Sequence, residues 1–434
     1  MRARRVVLAG LCVAATAGTT VLAPAASAAS GPPVAARPDP GPGVVVEWSD
    51  IAFRTVATEA AKPIPVQGLY LGIVSVAVYQ AVATASGRLT PYVHQPGRHR
   101  GTSARAAAVV AAHDVLVEYF PDSAPALDRD EVASLSRIRE GARRSRGEAV
   151  GRRSADIIIG LRRHDGRDDP VAFVPPTGLG FWVAPPTGML VPWLGYVRPL
   201  VLDSPREVPL SGPDPVGSAA YAADYREVQA LGALTGSART AEQTENALFW
   251  NANSVRQYQL GAMRVATRQR LGVAASARLF ALLHAGGAEA LISCWRAKQE
   301  FAFWRPSMAI GTIDDGNPLT DPDPAWQPLV ANPPYPDYIS GHACISGSAI
   351  GALSAVFGPQ TLDVDLESTV PGSGPPRHYD SARQLDTDTM NGRIWLGLHF
   401  RKAMTDGNRL GHTVSDRMLQ RFSFSRSHGH LEGR

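Results

Sequence analysis

The spacing of apolar residues constrains this chain more than any other feature. The segments DIAFRTVATEAA, LYLGIVSVAVYQAVATA, SARAAAVVAAHDVLVEYF and SLSRIREGARRSRGEAVGRRSADIIIGLRRH are alanine-rich and set apolar side chains three and four residues apart. That spacing follows one face of an α-helix, where alanine is the least costly residue. A second block behaves the same way: AEQTENALFWNANSVRQYQ, SARLFALLHAGGAEALISCWRAKQEFAFW, SGHACISGSAIGALSAVF and DSARQLDTDTMNGRIWLGLHF. Two-residue alternation, the mark of half-buried strands, is scarce. The expected fold is all-α, because apolar helix faces bury most simply against other helices, as bundles. Long Pro/Gly-rich loops, PPTGLGFWVAPPTG and DSPREVPLSGPDP, lie between 170 and 220. They suggest an N-terminal helical domain over 45–235 and a C-terminal one over 236–425, without an internal repeat.

The N-terminus reads as a targeting segment. Arg2, Arg4 and Arg5 precede an apolar stretch that ends in Ala26-Ser27-Ala28. This is the pattern of a signal peptide over 1–28, cleaved after Ala28, and it implies a secreted protein. Arg4-Arg5 is compatible with twin-arginine export. Residues 29–44, rich in Pro, Gly and Ala, are expected to form a disordered leader, and 426–434, with its HGH, a disordered tail. No later uninterrupted apolar run reaches the length of a membrane span, so none is expected. The net charge of +4 is small, and the 43 Lys and Arg residues are dispersed. That argues against nucleic acid as a partner. Cys12 leaves with the signal peptide. Cys294 and Cys344 remain, either as a disulfide of an oxidising compartment or as two small buried hydrophobes.

Three stretches of the C-terminal half carry chemistry together. In KQEFAFWRP, Lys298 and Arg305 are seven residues apart. On a continuous helix that puts both charges on one face, with Pro306 ending the helix. Trp295 lies one turn before Lys298. In PDYISGHACISG, Ser340 is a natural N-cap, and Gly341 lets backbone N–H groups approach an anion at a helix N-terminus, with His342 beside it. In NGRIWLGLHF, Arg393 and His399 are six residues apart, about 240° on an unbroken helix, so they converge only if the helix is broken or just starting, as Gly392 and Gly397 suggest. Each stretch alone also fits a solvated helix face or a packed histidine. Together they supply one Lys, two Arg, a hydroxyl, a glycine N–H and two histidines, a set suited to a tetrahedral oxyanion.

This order, K-x6-R-P, S-G-H, then R-x5-H, resembles the signature of the vanadium-dependent haloperoxidase and type-2 phosphatidic acid phosphatase superfamily. CWRAKQEFAFWRP is similar to the haloperoxidase branch, and HFRKAMTDGNRLGH and LYLGIVSVAVYQAV resemble bacterial secreted members. The likeness runs over about 45–425 and implies an all-α fold with helical bundles around the oxyanion. It implies that Lys298, Arg305, Arg393, Ser340 and the Gly341 N–H bind vanadate, or phosphate in its place. His399 would be the metal ligand, or the phosphorylated nucleophile of a phosphatase, and His342 the general acid–base. Trp295 and Tyr335 match positions that line the halide site. The chain departs from the pattern at Ile339, where Pro is usual, at Gly392, where Ser is usual, and at Ala403, where an Asp would support the last histidine. Asp406 or another carboxylate is the expected substitute. Glu289 is a candidate partner for a pocket Arg, and His113 reads as a satisfied core histidine.

Three functions follow. One is a secreted haloperoxidase using hydrogen peroxide and halide at a histidine-bound vanadate. A second is a secreted acid phosphatase acting on a phosphate ester through phosphohistidine. A third is a non-catalytic oxyanion-binding protein.

Overall fold

The computed structural model describes residues 43–95 and 101–424. The expected signal peptide, most of the leader and the tail lie outside them. Gly43 and Val44, assigned to the leader, instead begin the first helix. Among the described residues there are thirteen α-helices and one short antiparallel sheet, so the architecture is all-α as expected. The N-terminal half contributes α1 (Gly43–Phe53), α2 (Ile64–Ser86), α3 (Ala104–Tyr119), α4 (Ala124–Ser136), α5 (Ala142–Leu161) and α6 (Ala219–Gly232). There follow α7 (Ala241–Phe249), α8 (Ser254–Arg268), α9 (Val273–Phe301), α10 (Pro306–Gly311) and α11 (Gly341–Phe357). The chain closes with β1 (Val364–Leu366), β2 (Arg377–Tyr379), α12 (Ala382–Trp395) and α13 (Arg401–Arg421). The long helical reading of 134–164 breaks where Gly141 takes φ 122° between α4 and α5.

Helix α2 is apolar on all sides because it runs through the core. It has the length and hydropathy of a membrane span, yet its most apolar stretch is wholly buried inside the protein. Gly68 and Gly72 let it lie directly on α9; a Cβ at Gly72 would stand 2.7 Å from that of Ala288. Glu289 is fully buried on the same helix. It does not pair with a pocket Arg. Its carboxylate accepts the backbone N–H groups of Leu200 and Leu202, pinning the Pro/Gly-rich loop to α9. His113 is only partly buried and bonds Asp114 at 2.8 Å and Asp128 at 2.9 Å, a surface ion-pair cluster rather than a core contact.

The close packing of α11 on α13 sets the site. A Cβ at Gly407 of α13 would stand 2.9 Å from the carbonyl of Ser340, and one at Gly351 of α11 2.5 Å from Ser415 Oγ. A Cβ at Gly411 would strike the Cys344 carbonyl, and one at Gly347 that of Asn408. Four glycines therefore bring the two backbones together and hold the start of α11 against the start of α13.

Gly411→Ala is expected to destabilise the fold by about 1–3 kcal/mol, because the atom it meets is backbone and cannot turn aside. Gly287→Ala, which meets nothing within 4 Å, is expected to raise stability by up to about 1 kcal/mol through helix propensity. Thermal unfolding of both variants beside the parent checks the pair.

Candidate active site

Helix α9 ends at Phe301, earlier than the sequence suggests. Ala302 adopts a left-handed conformation (φ 45°), and its N–H caps the Lys298 carbonyl. The next residues run extended. Trp182 N–H donates to Ala302, Trp304 N–H to Gly180, and Asp337 N–H to Phe303. Arg305 is thus the N-cap residue of α10, and Pro306 does not end a helix but opens one at its first position, where its missing N–H costs nothing. Lys298 and Arg305 still converge, through this extended link rather than along one helix face.

The segment Tyr335–Asp337 gathers them. Lys298 Nζ donates to the carbonyls of Pro336 (2.7 Å) and Asp337 (3.1 Å). Arg305 Nε donates to the Tyr335 carbonyl at 3.0 Å, and its Nη1 to that of Leu398 at 2.9 Å. The Tyr335 ring lies 4.9 Å from Lys298 Nζ and 5.0 Å from the Arg305 guanidinium, and meets Trp295 at 5.1 Å with the ring planes tilted by 55°. Trp295 is itself held by a bond from its indole N–H to the Leu190 carbonyl. A Cβ at Gly341 would stand 3.4 Å from that indole, so glycine lets the start of α11 close onto it.

Ser340 caps α11 as its sequence predicts; its Oγ accepts the Ala343 N–H at 3.4 Å. Its own N–H reaches the Ala403 carbonyl at 3.0 Å. His342, in the first turn, bonds through Nε2 to the Ala252 carbonyl at 3.2 Å, which leaves Nδ1 without a hydrogen-bond partner among the described residues. Arg393 and His399 meet because the chain breaks between them. Helix α12 stops at Trp395, Gly397 takes φ 75°, and Leu398 N–H turns back to the Arg393 carbonyl. Arg393 Nη1 donates to the Trp250 carbonyl at 3.0 Å.

His399 has a carboxylate, Asp337 rather than Asp406. Its Nδ1 lies 2.7 Å from Asp337 Oδ1, both side chains fully buried, and its Nε2 lies 3.2 Å from Arg305 Nη1. Asp406 does not substitute: it accepts the Tyr338 hydroxyl at 2.6 Å and pairs with Lys402. The departures have local reasons. A Cβ at Gly392 would stand 2.8 Å from Trp250 Cδ1, so the Trp250 indole occupies the room a serine would need. Ala403 is fully buried, and its carbonyl accepts the Ser340 N–H. Asp337 was missed because its place, three residues before Ser340, gives no sign that it faces position 399. The one available signal was an acid inside an otherwise apolar PDYIS run. The Trp250 and Ala252 carbonyls had no signal at all, since every residue carries one.

The electrostatics favour an anion. Burial draws Lys298 down to about 8 and Arg393 to about 10, and lowers Arg305 as well. His399 and His342 are held well below the usual histidine value, first by burial and then by the neighbouring cations, so both are neutral. Burial raises Asp337 to about 7 against the pull of Arg305 and Lys298. Arg305 Nη2 and Arg393 Nε are buried with no hydrogen-bond partner. Three buried cations, one carboxylate and two unused guanidinium nitrogens fit a bound oxyanion of the vanadate or phosphate type, which would take up those donors.

Comparison with known proteins bears on the fold that carries this geometry. Residues 278–427 match the family described as the VCPO second helical-bundle domain. A 230-residue stretch is 28% identical to the vanadium chloroperoxidase of Curvularia inaequalis, covering 39% of this chain and 37% of that protein, just over a third of the relative's length. Among solved structures, a bacterial vanadium-dependent iodoperoxidase superposes with a TM-score of 0.74 at 22% identity, covering 90% of this chain and 98% of that one. The apo form of a bacterial vanadium-dependent chloroperoxidase gives 0.66 at 16% identity, over 82% of this chain and 93% of that one. Its holo form gives 0.65 at 16% identity, over 83% and 92%. Residues 278–427 thus match a helical-bundle domain family, and the chain is similar in fold to bacterial vanadium-dependent haloperoxidases.

Proposed function

We propose that this protein is an exported, vanadium-dependent haloperoxidase. The observation that carries the reading is the pair of buried, unpartnered guanidinium donors beside a neutral, carboxylate-held His399. Lys298, Arg305 and Arg393 would hold vanadate through its oxygens, with the Ser340 hydroxyl and the Gly341 N–H. Bound vanadate would supply Lewis-acid activation of hydrogen peroxide toward halide without a change of oxidation state. His399 would ligate through Nε2, which requires Arg305 Nη1 to move from that nitrogen onto the oxyanion. Asp337 accepts the Nδ1 proton and so keeps the Nε2 lone pair available. His342, fixed at Nε2 by the Ala252 carbonyl, would take a proton from peroxide at Nδ1 and return it to the departing oxygen. Trp295 and Tyr335 form an aromatic wall beside Lys298 that would exclude water and seat the halide. Export rests on the N-terminal segment 1–28.

The His399–Asp337 pair also favours a second reading, acid phosphatase. Nε2 of His399 would attack phosphorus, the three cations would stabilise the added charge, and His342 would protonate the leaving alcohol. Water activated by His342 would then release phosphate from the histidine.

The deciding experiment uses phosphate-free protein reconstituted with orthovanadate. Bromination or iodination of a phenolic dye with peroxide and halide is followed beside release of phosphate from an aryl phosphate. Vanadate-dependent halogenation that falls to background in His399→Ala supports the first reading. Phosphate release inhibited by vanadate, without halogenation, selects the second. Anion binding without turnover in either assay leaves a non-catalytic oxyanion-binding protein.

Asp337→Asn is expected to lower turnover or vanadate affinity roughly 10–100-fold while the fold survives, since a carboxylate behind a ligating histidine is worth about that much. Titrated activity and circular dichroism check the two halves. The depressed Lys298 predicts a pH limit. Its ammonium is charged below about 8 and neutral above, so anion affinity is full below that value and falls as pH rises through it. Lys298→Arg is expected to move the fall to higher pH, read by calorimetric titration with phosphate against the parent. An unchanged profile overturns the assignment.

A further inference from the structure

Two thiols lie directly behind the oxyanion-binding turn and take no part in the function proposed above. Cys294 is on α9, one turn before Lys298, and Cys344 is on α11, one turn after Gly341. Both are free and fully buried. Cys294 Sγ donates to the Ile339 carbonyl at 3.3 Å and lies 4.0 Å from where a Gly341 Cβ would stand. The Cys344 N–H donates to the Ser340 carbonyl at 3.0 Å. A Cβ at Gly407 would stand 3.4 Å from Cys344 Sγ, and each thiol shifts the ionisation of the other, so the two side chains are neighbours. One thiol therefore steadies the residue before Ser340, and the other belongs to the turn that follows it.

We infer that Cys294 and Cys344 form a peroxide-oxidisable dithiol, and that its closure to a disulfide weakens the grip of the Ser340–Gly341 turn on an oxyanion. The inference takes its pocket and its oxidant from the proposed function, but the reaction needs neither halide nor vanadate. The two thiols are unequal. Burial opposes ionisation of Cys294, yet the neighbouring Cys344 and the charges of Lys298 and Arg305 outweigh it and draw that thiol down. Burial and its neighbour push Cys344 up. This is the arrangement of an attacking and a resolving thiol.

The chemistry balances. Cys294 sulfur attacks one peroxide oxygen, the O–O bond breaks, and the departing hydroxide takes the thiol proton to become water. Cys344 sulfur then attacks the resulting sulfenic sulfur, the S–O bond breaks, and a second water leaves with the remaining thiol proton. Two thiols are oxidised and one peroxide is reduced to two waters. Bond formation removes the Cys294 proton that the Ile339 carbonyl accepts, so the approach to Ser340 loses its tie to α9. It also joins α9 to α11 at the point where Lys298 and Gly341 must both reach the anion.

The test uses the full chain in phosphate-free buffer without halide. It is treated with stoichiometric and then excess hydrogen peroxide and quenched with catalase. Non-reducing peptide mapping reads the cross-link and separates it from any bond to Cys12, and calorimetric titration with inorganic phosphate reads the pocket. The expected result is a Cys294–Cys344 cross-link with a several-fold loss of phosphate affinity, both reversed by a phosphine reductant. Cys294→Ser is expected to give no cross-link and a phosphate affinity that peroxide leaves unchanged. Cys344→Ser is expected to stop at a dimedone-trapped sulfenic acid on Cys294.

Both thiols remaining open to alkylation under denaturing conditions after excess peroxide overturns the inference. So does a cross-link that leaves phosphate affinity intact. A reduced protein that binds no phosphate overturns the pocket and the inference with it. A protein that halogenates without cross-linking retains the proposed function and loses this inference. One that cross-links reversibly with loss of phosphate affinity, yet never halogenates, does the reverse.

Discussion

Burying three cations with only one carboxylate between them is the constraint on which the rest of the structure depends. Removing a charge from water costs several kcal/mol per ion unless other dipoles replace the solvent. Here the replacements are backbone carbonyls: Tyr335, Pro336 and Asp337 for Lys298 and Arg305, Leu398 for Arg305, and Trp250 for Arg393. Carbonyls satisfy donors without cancelling charge, so the pocket stays positive. The N–H groups left over are those a tetrahedral anion can use. A carboxylate in place of any of these carbonyls would neutralise the pocket and compete with its ligand.

Such a pocket needs chain segments that present carbonyls at short range, and this explains the irregular backbone around it. Helix α9 must end at Phe301 for Arg305 to leave the helix surface, and the 335–337 segment must run beside it. Helix α12 must break at Gly397 for His399 to return toward Arg393. The glycine seam between α11 and α13 then closes the arrangement, because it sets the Ser340 turn against the residues that follow His399. Regular helices supply rigidity, and the breaks between them supply the donors and acceptors.

The three departures from the superfamily pattern look different in this light. Gly392 makes room for Trp250, whose carbonyl holds Arg393. Ile339 is fully buried, and its carbonyl takes the Cys294 thiol. Ala403 offers its carbonyl to the Ser340 N–H, and the carboxylate its side chain lacks comes from Asp337, which reaches His399 Nδ1. A carboxylate acts on an imidazole through distance and direction, and position in the chain is free to change while those are kept.

Sequence alone determined the all-α architecture and the Ser340 cap. It also singled out Lys298, Arg305, Arg393, His342 and His399, which the structure brings near one another, but not Asp337. Helical periodicity and N-cap chemistry are local, readable within one or two turns, and the Lys, Arg, Ser-Gly-His and His stretches declare their chemistry by residue type. Tertiary structure alone decided that Pro306 starts a helix, that Asp406 serves Tyr338, that Glu289 binds a loop and that Asp337 holds His399. Each of those depends on which segments meet across tens or hundreds of residues. A backbone carbonyl or a lone acid carries no mark of its partner until packing brings the two within hydrogen-bond reach.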